Sequence, residues 1–274
     1  MPGYREIVTV VPLSEQTDAA LRVTEWLTRR FEAHVHFIHS QKEIGAGIGI
    51  PTETEADIRR LQILMEEGRR RQEAERKEVR ATVENWKAKV GTDAELTLHT
   101  APPGRALSTY LMTADIAVLP PPGSIQDLDT EAVLLESGRP VILALGHPAE
   151  TLGERIAIFW RCTPPTSHAV AAAMPCLREA SRVALVSVEA GQQDDSVERA
   201  AAWLRRHQVD VQVERPKPVD GSTVGDTLLK AAADFGADLV VMGAYGHSRL
   251  HEWALGSVTK HVFRSAQRPV FACH

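Results

Sequence analysis

Two phrases of this chain are written twice. ADIAVL (Ala114 to Leu119) returns as ADLVVM (Ala237 to Met242), and SGRPVILA (Ser137 to Ala144) returns as SAQRPVFA (Ser265 to Ala272). The repeat is close to half of the 274 residues. A solenoid repeats a unit of only about 20–50 residues, so the pattern predicts two duplicated domains instead. Whatever fold one half adopts, the other must adopt it again.

The pattern between the repeated phrases fixes the fold class. Glu6 to Val11, His34 to His39, Glu95 to His99, Ala114 to Leu119 and Pro140 to Leu145 are short apolar runs rich in β-branched residues. Helical spacing separates them, over Thr17 to Phe31, Thr54 to Val90 and Thr130 to Glu136. A polar link from Gly146 to Gly153 follows, and the alternation resumes. Strands are expected at Arg155 to Trp160, Arg182 to Val188, Val209 to Glu214, Asp238 to Met242 and Pro269 to Cys273, with helices at Ser167 to Arg178, Ser196 to His207 and Thr223 to Phe235 and after Gly246. Strands alternating with helices require crossovers, hence a mainly parallel sheet with helices on both faces. The expected architecture is α/β: two tandem open domains, residues 1–147 and 153–274, each a five-stranded Rossmann-like sheet.

The halves differ after the repeated strand. In the second, Met242 leads into Gly243-Ala-Tyr-Gly246, nine residues, then Gly256-Ser257. A strand, a glycine turn and small residues at a helix start turn backbone N–H groups toward a phosphate. Glycines keep side chains out of an anion's way, although a glycine after a strand also serves simply as a turn. The pattern lacks the Lys-Ser/Thr of a P-loop and the spacing of the dinucleotide fingerprint. In the first half Leu119 is followed by PPPGSIQDLDTEAV, whose three prolines have no N–H to offer. An anion site is therefore expected in the second half alone.

Composition sets the remaining limits. Hydrophobic content is 43% and charged content 24%, as in ordinary globular proteins, which argues against disorder. The formal net charge of −5 gives no reason to expect nucleic acid or an anionic membrane as partner. No apolar run is long enough to span a bilayer, and no secretory signal is read at the N-terminus. Cys162, Cys176 and Cys273 are odd in number and widely spaced, which suits a reducing cytoplasm and small buried apolar roles.

With these residues in view, the chain resembles the universal stress protein family in its tandem form. The carrier is Gly243-x-x-Gly246-x9-Gly256-Ser257, flanked by GADLVVMGAYGHSRL and SAQRPVF. The resemblance implies ATP as ligand, with ADP or AMP as alternatives, with or without Mg2+. It implies that Gly243, Gly246, Gly256, Ser257 and Val258 surround phosphates and ribose, that Val188 lies near the adenine, and that tandem domains or subunits pair through their last strands. An intrachain pseudo-dimer and a homodimer are thus expected. One departure stands out. The family carries an Asp just after the first strand, where this chain has Arg161 or Cys162 in the second half and VVPLSE in the first. Loss of a hydrogen bond to a charged group costs about 1.5–3 kcal/mol. Arg161 is a candidate phosphate partner or an ordinary surface charge.

Several other features have more than one reading. His247 and His251 are four apart with Glu252 beside them, fitting phosphate contact, a metal pair without a third ligand, or exposed imidazoles. Gly45 to Gly49 reads as a loop or as the cover of a cleft. The helix from Thr54 to Val90 is long for any fold. Its end carries an apolar stripe (Val79, Val83, Trp86, Val90) and its start a second (Ile58, Leu61, Met65), with charges able to pair three or four apart between them. The start is read as a solvated arm or as a contact with another subunit or the sister domain. Ser222 is expected to cap the helix near Thr223. No nucleophile elbow and no paired carboxylates are evident. The reading is therefore a cytoplasmic stress-response protein that binds an adenine nucleotide without catalysis. A nucleotide-free assembly module and a weak nucleotide hydrolase are the alternatives.

Overall fold

The computed structural model describes residues 3–41, 44, 54–99, 103–125, 128–146, 151–188, 195–218, 221–245 and 257–274. The first half contains β1 (Glu6–Val10), α1 (Thr17–Phe31), β2 (His34–Ser40), α2 (Glu55–Val90), β3 (Ala94–His99), α3 (Pro103–Leu111), β4 (Ile116–Leu119), α4 (Thr130–Ser137) and β5 (Val141–Leu143). The second contains β6 (Arg155–Phe159), α5 (Pro164–Ala172), α6 (Met174–Glu179), β7 (Arg182–Val186), α7 (Ser196–Arg206), β8 (Val211–Glu214), α8 (Val224–Phe235), β9 (Leu239–Gly243), α9 (Ser257–Ser265) and β10 (Val270–Cys273).

The two halves repeat one strand order. The full sheet runs β3-β2-β1-β4-β5-β10-β9-β6-β7-β8, so each half is a parallel five-stranded unit and the halves meet where β5 pairs antiparallel with β10. The register there is Val270 opposite Leu143, Phe271 opposite Ile142 and Ala272 opposite Val141. The last-strand pairing expected from the resemblance is thus made within one chain. Pro140 and Pro269 stand just before these strands, where a missing N–H is harmless, and each carbonyl accepts from the neighbouring strand, from Ala117 and Val240, at 3.0 Å.

The repeated aspartate explains part of the duplication. Asp115 accepts the amides of Arg5 (2.7 Å) and Glu6 (3.0 Å), fixing the start of β1. Asp238 does the same for β6, accepting from Gly153, Glu154 and Arg155 at 2.9, 3.1 and 3.1 Å. Asp238 is buried and Asp115 exposed, because the chain entering β6 comes from the link between the halves. That link is held closely: a side chain on Gly153 (φ 76°) would sit 2.2 Å from the Trp26 ring of α1.

Alternation along the strands divides the core into two faces. Ile7, Val35, Phe37, Ile156 and Ile158 pack under α1, the end of α2, α5, α6 and α7, through Leu27, Trp86, Val170, Leu177 and Leu204 among others. Val8, Val10, Ala157 and Phe159 face α3, α4, α8 and α9, through Leu111, Leu134, Leu228 and Val262. Deep burial of both faces is what a parallel sheet requires.

Local chemistry shifts several boundaries. The helix expected over Ser167 to Arg178 is two helices broken at Ala173, because Pro175 cannot donate to the preceding turn. Thr223, not Ser222, caps α8, and its hydroxyl and Asp226 form a reciprocal capping box. Thr54 and Asp57 form the same box at α2, which ends at Gly91 in the left-handed region (φ 76°). Only Val79, Val83 and Trp86 of α2 are buried, so its early part is an exposed arm.

Candidate nucleotide site

The strand order reverses between β1 and β4 in one half and between β6 and β9 in the other, since the connections from these neighbours leave to opposite faces. At such a point the carboxyl ends of the strands border a crevice, the usual ligand position in open α/β sheets. In the second half this crevice lies between the turn after β6 and the turn after β9.

The β6 side is built from Trp160 to Thr163. The Trp160 amide continues the ladder to the Val186 carbonyl at 2.8 Å, and its indole N–H donates to the buried Ser196 hydroxyl at the start of α7 at 3.0 Å. Arg161 and Cys162 follow on the surface, and among the described residues the Arg161 guanidinium has no ion pair. The start of α5 is poor in donors because Pro164 and Pro165 occupy its first two positions. The Thr163 and Thr166 hydroxyls bond each other at 3.0 Å. An anion finds little backbone to bind on this side.

The β9 side begins at Gly243, and the structure gives that glycine a packing reason. A side chain there would lie 2.3 Å from the Thr166 amide nitrogen, so only glycine lets α5 cross the strand end. The Ala244 amide is spent on the Cys273 carbonyl at 2.8 Å. Tyr245 then takes the left-handed conformation (φ 56°), a cost of about 1 kcal/mol for a residue with a side chain. Its ring lies edge-on to Phe263 of α9, with centroids 6.4 Å apart. Glu131 of α4, in the other half, lies near its hydroxyl, and burial first, then the Glu131 charge, raise its pKa far above the usual phenol value. Lys260 of α9 lies 3.9 Å from the same Glu131.

Ser257 is the exposed first residue of α9, and Val258 behind it is half-buried. Val188, two residues beyond β7, is half-buried too. Val188, Tyr245 and Val258 all pack on the sheet face that α8 and α9 cover. Of the expected site residues, then, Gly243 ends β9, Ser257 and Val258 open α9, Val188 follows β7 and Arg161 follows β6. Gly246, His247 and Gly256 lie outside the described residues, as do His251, Glu252 and the run Gly45 to Gly49. Sequence reasoning missed Tyr245 and Glu131; an aromatic between two glycines was the available signal.

The corresponding corner of the first half is closed by its own chain. After β4, Pro121 and Gly123 (φ 85°) lie in a turn in which the Ser124 amide donates to the Pro121 carbonyl at 3.1 Å. Asp129 then caps α4, its carboxylate accepting from the amides of Glu131 and Ala132 at 3.0 Å each. The donors that a helix start would offer a phosphate are thus already taken by a carboxylate.

The comparisons join this geometry. Residues 166–274 match the model of the universal stress protein family. The matched span runs from within α5 to β10, including the whole glycine pattern, and leaves out β6 and the turn bearing Arg161 and Cys162. A universal stress protein of Methanocaldococcus jannaschii is 40% identical over 45 residues, which are 16% of this chain and 28% of that relative. The fold of the whole chain is that of a universal stress protein from Archaeoglobus fulgidus, with TM-score 0.73 and 16% identity over 98% of this chain and 95% of that one. A protein of unknown function from Pseudomonas aeruginosa has TM-score 0.58 and 12% identity, over 98% and 92%. The matched span is therefore most of the second of two units with the same strand order.

Elsewhere, a cavity of about 460 Å³ opens between β8 and α8, lined by Glu214, Arg215, Lys217, Lys230 and Asp234 among others. It lies on the outer edge strand, and two of its three cations are engaged: Lys230 with Asp234 at 2.8 Å and Arg215 with Glu198. Cys176 and Cys273 are buried, whereas Cys162 is exposed, contrary to the buried role expected of it. Burial pushes the Cys176 thiol up to about 12, which leaves it an unreactive neighbour of the Tyr4 hydroxyl. Among the described residues no group of three or more metal-ligating side chains occurs, and no helix is long and apolar enough to cross a membrane.

Proposed function

We propose that the second half binds one adenine nucleotide, ATP or a close relative, where β9 turns into α9, and that the first half binds none. One observation carries the reading: the family's glycine pattern falls at a strand-order reversal, with β9 ending at Gly243 and α9 opening at Ser257. Gly246, Gly256 and Ser257 contribute amides and one hydroxyl to the phosphates, and Val188 and Val258 flank the base and ribose. His247 and Arg161 are the nearby groups able to meet phosphate charge.

The role is a signal, not catalysis, in a reducing cytoplasm. A bound nucleotide shifts an equilibrium only through a difference in affinity between two arrangements. Tyr245 supplies a route to such a difference, because it leaves the site's first turn and lies near the Glu131 carboxylate of the first half. The test is to denature freshly purified protein, identify any released nucleotide, and titrate the emptied protein calorimetrically with ATP, ADP and AMP. Heat with at least one of them, lost in Gly246→Val while the far-UV spectrum is kept, supports the site. Unchanged affinity in Gly246→Val contradicts the placement of the phosphates.

A second reading, an assembly module without nucleotide, draws on Arg161 and Cys162 standing where the family has an Asp. No released nucleotide and no heat would favour it. Turnover that survives repurification and is lost in His247→Ala would instead favour a hydrolase.

A further inference from the structure

The arm of α2 has a solvent face with a charge order that fits its own reverse. Leu61, Met65, Gln72 and Arg76 are half-buried, and Gly68 faces Ile44, so this stripe turns toward the body. Helical periodicity puts Ile63 on the opposite side, and it is 60% exposed, with Ile58 and Leu64 exposed at 44% and 37%. Arg59 and Glu66 are seven residues apart and lie on one flank of Ile63. Arg60 and Glu67 lie on the other. On each flank the cation precedes Ile63 and the carboxylate follows it. Further out the order repeats with opposite sign, Glu55 before, Arg70 and Arg71 after.

A sequence with this antisymmetry complements itself when turned end for end. We infer that the arm is a docking surface for a second copy of this chain, in an antiparallel two-fold contact centred on Ile63. Arg59 and Arg60 of one copy then meet the Glu66 and Glu67 side chains of the other, and the acidic start meets the Arg70–Arg71 end. The parallel arrangement sets like charges opposite one another and is disfavoured. A two-fold contact uses one patch twice, as most homodimers do. The edges of β5 and β10 are already paired with each other, which removes last-strand pairing as a route between chains. The arm also carries internal pairs, such as Arg70 with Glu66 at 3.3 Å and Arg71 with Glu67 at 4.0 Å, which keep it helical before it docks. The contact is small and largely electrostatic, so it is expected to be weak and sensitive to salt.

Sedimentation equilibrium of the full chain across micromolar concentrations tests this. The wild type is expected to dimerise at low salt, with a dissociation constant at least tenfold weaker in 0.5 M NaCl. Ile63→Asp, at an exposed position, is expected to be monomeric with an unchanged thermal midpoint. The variant R59E/R60E should be monomeric, as should E66R/E67R, while the two mixed should form a heterodimer and the quadruple reversal should restore the homodimer. A wild type that stays monomeric at 100 µM overturns the inference, as does a dimer that Ile63→Asp leaves intact or reversals that fail to rescue one another.

Discussion

The helix starts after β4 and β9 hold equivalent places in the two halves and meet opposite ends. In the first half, prolines and then Asp129 stand ahead of α4, and the Asp129 carboxylate occupies the amides of Glu131 and Ala132. In the second, Gly256 stands just before α9 and no acidic side chain takes that position in the sequence. A helix start prefers a negative partner. One half satisfies that preference internally, and on the function proposed above the other leaves it to a ligand. Duplication supplied the same frame twice, and the two copies differ by a few residues at one corner.

The strongest way to test how alike the frames are is at their shared aspartates. Asp238→Ala leaves three amides of a buried link without their acceptor and is expected to cost about 3–5 kcal/mol. Asp115→Ala, which frees two exposed amides, should cost about 1 kcal/mol. Equal losses in urea denaturation would show that burial does not separate the two sites. Next in size is the corner itself. Gly256→Asp copies the first half's cap into the second and is expected to weaken nucleotide binding by about 100-fold, or ~2.7 kcal/mol, measured by calorimetry. Asp129→Ala should lower stability by about 1 kcal/mol as a lost cap, without changing nucleotide affinity.

The smallest effect concerns pH. His36 of β2 lies edge-on to Tyr110, bonds the Thr97 hydroxyl at 2.8 Å and has Glu95 at 4.0 Å, with Glu6, His34 and His99 nearby. Burial dominates over the two carboxylates and lowers its pKa. The folded state therefore takes up its proton less readily than the unfolded chain. The stability this contributes is intact above about pH 6.5, the ordinary histidine value, and is lost as pH falls through the lowered folded value. The position equivalent to His36 in the second half is Ala184, so the acid sensitivity belongs to the first half. His36→Phe should flatten stability against pH between 7 and 5, and an unchanged slope would assign it elsewhere.

What could be read in the sequence was local or periodic. The repeated phrases, the strand and helix order and the pairing of Val141 to Leu143 with Val270 to Cys273 all follow from patterns within short windows or from the resemblance. What could not be read depends on residues far apart in the chain. Gly243 is required by Thr166, 77 positions earlier, and Tyr245 lies near Glu131 of the other half. Asp129 is an ordinary cap in the sequence, and its meaning comes only from the second half's lack of one. The break at Ala173 could have been found, since Pro175 was visible.

The number of nucleotides held by each chain tests the account most directly. Equilibrium dialysis of the emptied protein against saturating radiolabelled ATP, ADP or AMP should give one bound nucleotide per chain. Two would show the first half's corner to be open despite Asp129, and none would remove the site altogether.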